Sequence, residues 1–163
     1  TYEHDWGNGH STDFSVAGNW NDAELDGNVS AFFAPFSQFN FEENNLQSNL
    51  IATAIHRFSD FTFVARGRYF GEYSAAQRPG ANVSIDGSVF ETQTFDPELY
   101  VDLEGAYQFN DAVRFTIGAR NAFDEYPDPI LLDQSATRGR IYNSGSLVPW
   151  QGGYYYGRVD FSL

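Results

Sequence analysis

The residues whose types could do catalytic chemistry are scattered through the chain without a recognisable arrangement. His4, His10 and His56 lack the spacing of metal ligands, and surface or interface roles suit them better. The sequence contains no Gly-x-Ser-x-Gly element, no phosphate-cradling glycine loop and no nucleophile beside a base. Carboxylates are abundant, but nothing fixes two of them at the separation that a glycosidase needs. We therefore expect no enzymatic activity, no metal site and no cofactor.

A second set of charged residues lies at alternating positions of segments that resemble strands. Their signs change from one segment to the next, so a sheet would place opposite charges side by side. These residues are Arg66, Arg68, Asp102, Glu104, Arg114, Arg120, Arg158 and Asp160. Opposite charges directly across an antiparallel pair contribute about 0.2–1 kcal/mol. The set predicts an ion-pair ladder along a polar lumen, and the alternative is a solvated sheet face with charges paired for solubility.

Aromatic and basic side chains in the long connections are the candidates for ligand contact. They are Phe32, Phe33, Phe36, Phe39, Phe41, Arg138, Arg140 and Trp150. Exposed aromatic rings stack on sugars or other ligand rings, or close against a partner protein. The two arginines suit lipopolysaccharide phosphates or an anionic substrate. Alternatively, the rings pack beneath a loop, onto a neighbouring domain or into an interfacial girdle, and the arginines are solvated.

Composition limits the possible classes of protein. The 163 residues carry 22 acidic and 9 basic side chains, a net charge of −13 that argues against binding to nucleic acid. Cysteine is absent, which excludes disulfides and thiolate metal sites. No window approaches the roughly 18 apolar residues of a transmembrane helix, and the first residues do not resemble a signal peptide. With 18% aromatic residues, the chain fits either a soluble β-sandwich or a transmembrane β-barrel.

The strongest pattern is the alternation of apolar and polar residues over long runs. It predicts strands at 13–20, 46–58, 61–73, 98–109, 113–123 and 153–163, with residues 2–6 ending an earlier strand. Short connections near 7–10, 59–60 and 110–112 alternate with long ones at about 26–45, 75–97 and 125–151. Long strands with tight turns at one end and long loops at the other are typical of outer-membrane barrels. Strands of soluble sandwiches average only about 5–6 residues.

The register of the last hairpin follows from its short turn. Placing Phe109 opposite Val113 sets Asp102 opposite Arg120, and Gln108 opposite Arg114. Both of these pairs lie on the polar face, so the register agrees with the predicted ladder.

Three segments near the end of the chain carry a family resemblance. They are Tyr100-Val-Asp-Leu-Glu-Gly-Ala-Tyr107, Phe115-Thr-Ile-Gly-Ala-Arg-Asn-Ala-Phe-Asp-Glu-Tyr-Pro127 and the last strand with Gly157-Arg-Val-Asp-Phe161. Together they resemble the closing hairpin of TonB-dependent outer-membrane receptors. The segments Arg66-Gly-Arg-Tyr-Phe-Gly71 and Asn19-Trp-Asn-Asp-Ala-Glu24 look similar to earlier parts of the same family.

The resemblance implies an all-β fold: an antiparallel up-and-down transmembrane β-barrel of 22 strands. Residues 1–163 would supply its last six or so strands, with the plug domain outside them. It also implies active uptake, across the outer membrane of a Gram-negative bacterium, of a scarce ligand such as a siderophore, vitamin or oligosaccharide. The implied partners are the rest of the barrel, the plug, the TonB complex, outer-membrane lipid and lipopolysaccharide. Phe161 and Leu163 would form the C-terminal assembly signal, although such barrels usually end in an aromatic residue.

Two other classes of protein remain open from the sequence. One is a soluble all-β module that binds carbohydrate with its aromatic residues, and the other is a small complete outer-membrane barrel with a structural role. Six strands cannot close a 22-stranded barrel, and exposed edges invite pairing with other chains. We therefore expect the isolated 163-residue polypeptide to aggregate, to swap strands or to need the rest of the receptor.

Overall fold

The computed structural model describes residues 1–27, 32–77, 90–131, 139–143, 145 and 147–162. Within these residues the chain forms nine strands and one short helix. In chain order they are β1 Tyr2–Gly7, β2 His10–Trp20, α1 Pro35–Glu43, β3 Ser48–Phe58, β4 Phe61–Phe70, β5 Tyr73–Gln77, β6 Glu91–Phe95, β7 Glu98–Asn110, β8 Val113–Arg120 and β9 Tyr154–Phe161.

Seven of the strands form one antiparallel sheet in the order β1-β2-β3-β4-β7-β8-β9. Each strand in this order pairs with the next, and β1 and β9 form its two edges. The strands β5 and β6 pair only with each other, as a hairpin inserted between β4 and β7. The expectation of an antiparallel all-β chain is confirmed, and the described residues form an open sheet in which no closed barrel is seen.

The long connections, which the alternating pattern predicts as loops, contain a helix and a hairpin. Helix α1 begins with Pro35 at its first turn and has no buried residue. It packs beside β5, where the Asn40 side chain accepts a hydrogen bond from the backbone N–H of Ala76 at 3.0 Å. Helix α1 shows no clear apolar period, because none of its residues is buried. The hairpin, in contrast, buries Tyr73, Ala75 and Phe95.

The register gives the main sheet two chemically distinct faces. On the polar face the pairs Arg66–Asp102, Gln108–Arg114 and Arg114–Asp160 lie directly opposite each other. The other face carries apolar side chains that remain open, such as Val16 (67% exposed), Ile117 (73%) and Tyr155 (81%). The predicted alternation is therefore present, but its apolar side is not buried within the described residues.

The buried core lies at the loop end of the sheet, above the polar face. Phe70 and Tyr100 reach it from the sheet and pack edge to face with ring centroids 5.7 Å apart. Tyr73 and Phe95 of the inserted hairpin stack in parallel at 4.7 Å. The described parts of the long connections thus fold over one end of the polar face and form a cap.

Tight turns join the strands at the opposite end. Gly7, Asn8 and Gly9 all adopt positive φ, as the Gly-Asn-Gly turn signal predicts. In the turn between β7 and β8, the Asn110 side chain accepts the backbone N–H groups of Ala112 and Val113, both at 2.9 Å.

The same turn corrects one predicted pair. Val113 lies opposite Asn110 rather than Phe109, because the register shifts between Gln108 and Asn110. Beyond this irregularity, Gln108 lies opposite Arg114 as expected.

Candidate functional site

Asp102, in the middle of the sheet, is the centre of the polar face. Its carboxylate accepts hydrogen bonds from Arg68 Nη2 at 3.1 Å, from Arg120 Nη1 at 3.3 Å and from the backbone N–H of Asn121 at 3.0 Å. The Asp102 side chain is 8% exposed, so these donors replace the water that a carboxylate needs. Arg68 also lies over the Tyr100 ring, with its Cζ 5.6 Å from the centroid.

The other members of the predicted ladder make separate contacts. The Tyr156 hydroxyl donates to Glu104 at 2.6 Å, and Arg66 Nε donates to the Thr53 hydroxyl at 3.3 Å. Arg158 and Asp160 pair along their own strand at 2.9 Å, where both are about half exposed. The polar face therefore contains one hub, formed by Arg68, Asp102 and Arg120, and separate pairs around it. It does not form a continuous ladder.

Arg114 departs from the predicted ladder. Register places it opposite Asp160, but no ion pair to Arg114 is found in the part of the chain that the structure describes. Asp160 pairs instead with Arg158.

The residues from Asn121 to Glu125, directly after β8, form a corner that connects the hub to the last strand. We call this segment the Asn121 corner. Asn121 is buried at a φ of +47°, and its side-chain amide donates to the Glu125 carbonyl at 2.7 Å. Its side-chain oxygen accepts the Glu125 N–H at 3.0 Å, and Asp124 accepts the Gly153 N–H at 2.7 Å. This network fixes the point from which β9 starts.

The corner also requires small residues at two positions. A Cβ at Gly153 would lie 2.5 Å from the Asn121 carbonyl oxygen, and one at Gly152 would collide with the Tyr126 hydroxyl. A hydrogen bond to Asp124 raises the pKa of Tyr126 above its usual value. The sequence pattern places Asn121, Asp124 and Tyr126 only within the family-like segment 115–127, although Asn, Asp and Gly residues are typical of unusual backbone geometry.

Two adjoining cavities open on the polar face beside the hub. The one at the loop end has a volume of about 200 Å³, and the other has a volume of about 170 Å³. Arg120 lines both, so the cavities share a wall. Donors, carboxylates and aromatic rings all face these spaces, which suits a small polar ligand with several hydroxyl or amide groups.

The predicted loop aromatics divide into packed and exposed rings. Phe36 and Phe39 pack against Phe90, with centroid distances of 6.1 and 5.8 Å. Phe32 is 87% exposed, and Phe33 and Phe41 are also exposed. Part of this group therefore holds α1 against its neighbours, and Phe90 is a packing partner that sequence analysis missed.

The remaining predicted loop and terminal residues lie away from the hub. Arg140 and Trp150 are exposed, and neither is among the described residues that line the two polar cavities. Phe161 lies at the end of the edge strand β9 and is exposed. Arg138 and Leu163 lie outside the described residues.

The apolar face has a groove of about 870 Å³, lined by small residues and by Phe63, Leu103 and Ile117. Near the short turns this face also carries the histidines. His56 Nδ1 and the Thr12 hydroxyl share a hydrogen bond at 2.8 Å, and Trp6 Nε1 donates to the same hydroxyl at 2.9 Å. These hydrogen bonds satisfy the polar groups of His56, Thr12 and Trp6, which would otherwise be unpaired on an apolar surface.

Comparison with known proteins adds no identity. No protein-family model, curated protein or solved structure matches the chain. Among the described residues, no group of three or more histidines and carboxylates is placed to hold a metal ion. Nor does that part of the chain contain a helix long and apolar enough to cross a membrane.

Proposed function

We propose that the chain forms part of the wall of a TonB-dependent receptor in the outer membrane of a Gram-negative bacterium. The protein would take up a scarce small molecule or oligosaccharide by active transport. The observation that carries this proposal is the open apolar face of a long-stranded antiparallel sheet, opposite a face with ion pairs and polar cavities.

The exposure of the apolar face supports a lipid environment. Side chains such as Val16, Leu103 and Ile117 lie on one continuous surface that crosses the sheet. Soluble monomers rarely expose apolar patches larger than about 300–600 Å², because such surfaces drive association. Lipid chains would cover this face without any further protein.

Aromatic residues at the short-turn end support the same environment. Phe58, Phe61, Tyr107 and Phe115 are successive cross-strand partners on the apolar face. Trp20, Tyr69 and Tyr155 lie toward the loop end of that face. Outer-membrane barrels carry such aromatic girdles at both membrane interfaces, about 25 Å apart.

The asymmetry of the two ends supports an orientation. Tight turns join β1 to β2, β3 to β4 and β7 to β8, while the intervening connections are long. In barrels of this kind the short turns are periplasmic and the long loops are extracellular. The cap around Tyr73 and Phe95 would then lie outside the cell, and the Asp102 hub would face the lumen and its plug.

Membrane fractionation of cells that express the complete gene product tests the location. The protein should stay in the outer-membrane fraction after alkaline carbonate washing and should dissolve only with detergent. A complete protein that is monodisperse in water without detergent would favour a soluble carbohydrate-binding module and contradict the proposal.

Binding to TonB separates a receptor from a small structural barrel. The complete protein in detergent should retain the periplasmic domain of TonB on an affinity column. A protein that integrates into the membrane but does not retain TonB would favour the structural barrel and contradict TonB-dependent uptake.

A further inference from the structure

The loop-end cavity on the polar face has the lining of a sugar site. We infer that this cavity of about 200 Å³ holds one ring of a neutral oligosaccharide. The inference rests on the proposed function and names its ligand class. The side chains that carry it are Arg68, Arg120, Gln151 and Tyr154. Tyr100 and Asn121 also line the cavity, but both are buried and their polar groups bind Pro149 and Glu125.

The lining combines the exposed Tyr154 ring with planar polar groups. A sugar ring has apolar C–H faces that stack on aromatic rings and hydroxyl groups that both donate and accept hydrogen bonds. Tyr154 is 54% exposed and lies directly opposite Arg120, so its ring is open to a ligand. The Gln151 amide offers both a donor and an acceptor at the same rim.

The two guanidinium groups are held in place with donors to spare. The Asp102 carboxylate accepts a hydrogen bond from one terminal nitrogen of Arg68 and from one terminal nitrogen of Arg120. Each guanidinium has five N–H donors, so other donors remain for a ligand. The Arg120 side chain remains 41% exposed despite its ion pair. Because the ion pairs already fix the orientation of these groups, a ligand loses little side-chain entropy on binding.

The electrostatic field favours a neutral ligand over an anionic one. The chain carries a net charge of −13, and at the cavity itself the Asp102 carboxylate offsets one of the two guanidinium charges. A field of this sign lowers the local concentration of anions, whereas uncharged hydroxyl groups are not repelled.

The second cavity extends the site along the sheet. It shares Arg120 with the first and is lined by Asp102, Glu104 and Tyr156. At about 170 and 200 Å³, each cavity is smaller than the roughly 300–1,000 Å³ pockets of drug-sized ligands. Each volume therefore suits a single ring, and the pair suits two linked rings.

Calorimetric titration of the complete protein in detergent tests the inference. The probes are maltotriose, cellotriose and xylotriose, with trigalacturonate as the acidic comparison. At least one neutral trisaccharide should bind with a Kd below about 1 mM, and trigalacturonate should bind about tenfold more weakly or not at all.

Variants locate the binding on the sheet. Tyr154→Ala and Arg120→Gln should each weaken binding of that trisaccharide by about tenfold or more, while Tyr154→Phe should keep it within about threefold. Arg114→Gln is the matched control, because Arg114 lies on the same face near the short turns and lines neither cavity. Circular dichroism of each variant should match that of the parent protein.

Three results would overturn the inference: no binding of any neutral trisaccharide, tightest binding of trigalacturonate, or unchanged binding by Tyr154→Ala. A membrane protein that retains TonB but binds none of the neutral probes would contradict only this inference. Sugar binding through Tyr154 in a protein that is soluble without detergent would contradict only the proposed transport function.

Discussion

The carboxylate of Asp102 accepts the backbone N–H of Asn121 at 3.0 Å and thereby ties the middle of β7 to the end of β8. The same carboxylate binds Arg68 and Arg120, so one side chain joins the polar face to the Asn121 corner. Asn121 in turn donates to the carbonyl of Glu125. The hub is therefore a structural joint as well as a wall of the loop-end cavity.

Asp102→Asn should destabilise the protein because the partly buried Arg68 and the more exposed Arg120 both lose the buried carboxylate that pairs with them. Removing one partner of a buried ion pair costs about 3 kcal/mol, and the free energy of unfolding should fall by about that amount. Urea titration of the complete protein in detergent, followed by tyrosine and tryptophan fluorescence, measures the change. Asp160→Asn is the control, because the exposed Arg158–Asp160 pair should contribute little that can be measured. Equal loss in both variants would contradict the role of Asp102 as the hub.

Gly153→Ala should destabilise the start of β9 because its Cβ would lie 2.5 Å from the Asn121 carbonyl oxygen. A backbone atom cannot move aside cheaply, and overpacking of this kind costs about 1–3 kcal/mol. The matched substitution is Gly157→Ala inside β9, where the nearest atom is the Thr116 carbonyl oxygen at 3.9 Å. The same urea titration compares the two, and a Gly153→Ala variant as stable as Gly157→Ala would show that the corner can relax.

The alternating pattern was sufficient to predict most of the sheet. The period of two assigned the polar positions of β7 and β8 to one face, and the register expected from the short turn predicted that Asp102 and Arg120 would lie opposite each other. The ion pair between them agrees with this register. The hydrogen bond from Asn121 to Asp102 could not be predicted in this way. Its donor is a backbone N–H group, which nearly every residue type carries, so the sequence does not indicate it.

The structure inside the long connections was also beyond the sequence patterns. Helix α1 has no buried residue to impose an apolar period, and Phe36 and Phe39 pack against Phe90 from a distant segment. The irregular pairing at Asn110 depends on its side chain accepting two backbone N–H groups. Such contacts arise from tertiary packing and turn geometry rather than from alternation.

Phe39→Ala should loosen α1, whereas Phe32→Ala should not. Phe39 is partly buried against Phe90 at 5.8 Å, and truncating a partly buried ring costs about 1–2 kcal/mol. Phe32 is 87% exposed, so its replacement should change stability by less than about 0.5 kcal/mol. Hydrogen exchange of the backbone amides in residues 36–43 measures the local opening. Faster exchange in both variants, or in neither, would contradict the packing role assigned to Phe39.

Ile117→Lys tests the environment of the apolar face. Ile117 lies in the middle of β8 and is 73% exposed, so in water its replacement by lysine should change stability by less than about 0.5 kcal/mol. On the lipid face of a barrel, a lysine near the membrane midplane costs about 2–4 kcal/mol.

Ser15→Lys provides the control for this test, because Ser15 is exposed on the polar face in the middle of β2. We expect Ile117→Lys to lower the free energy of unfolding in phospholipid bilayers by about 2 kcal/mol or more, and Ser15→Lys to lower it by much less. Urea titrations of the complete protein refolded into phospholipid vesicles give both values. Equal, small effects of the two lysines would mean that the apolar face meets water or another protein, and would contradict a membrane wall.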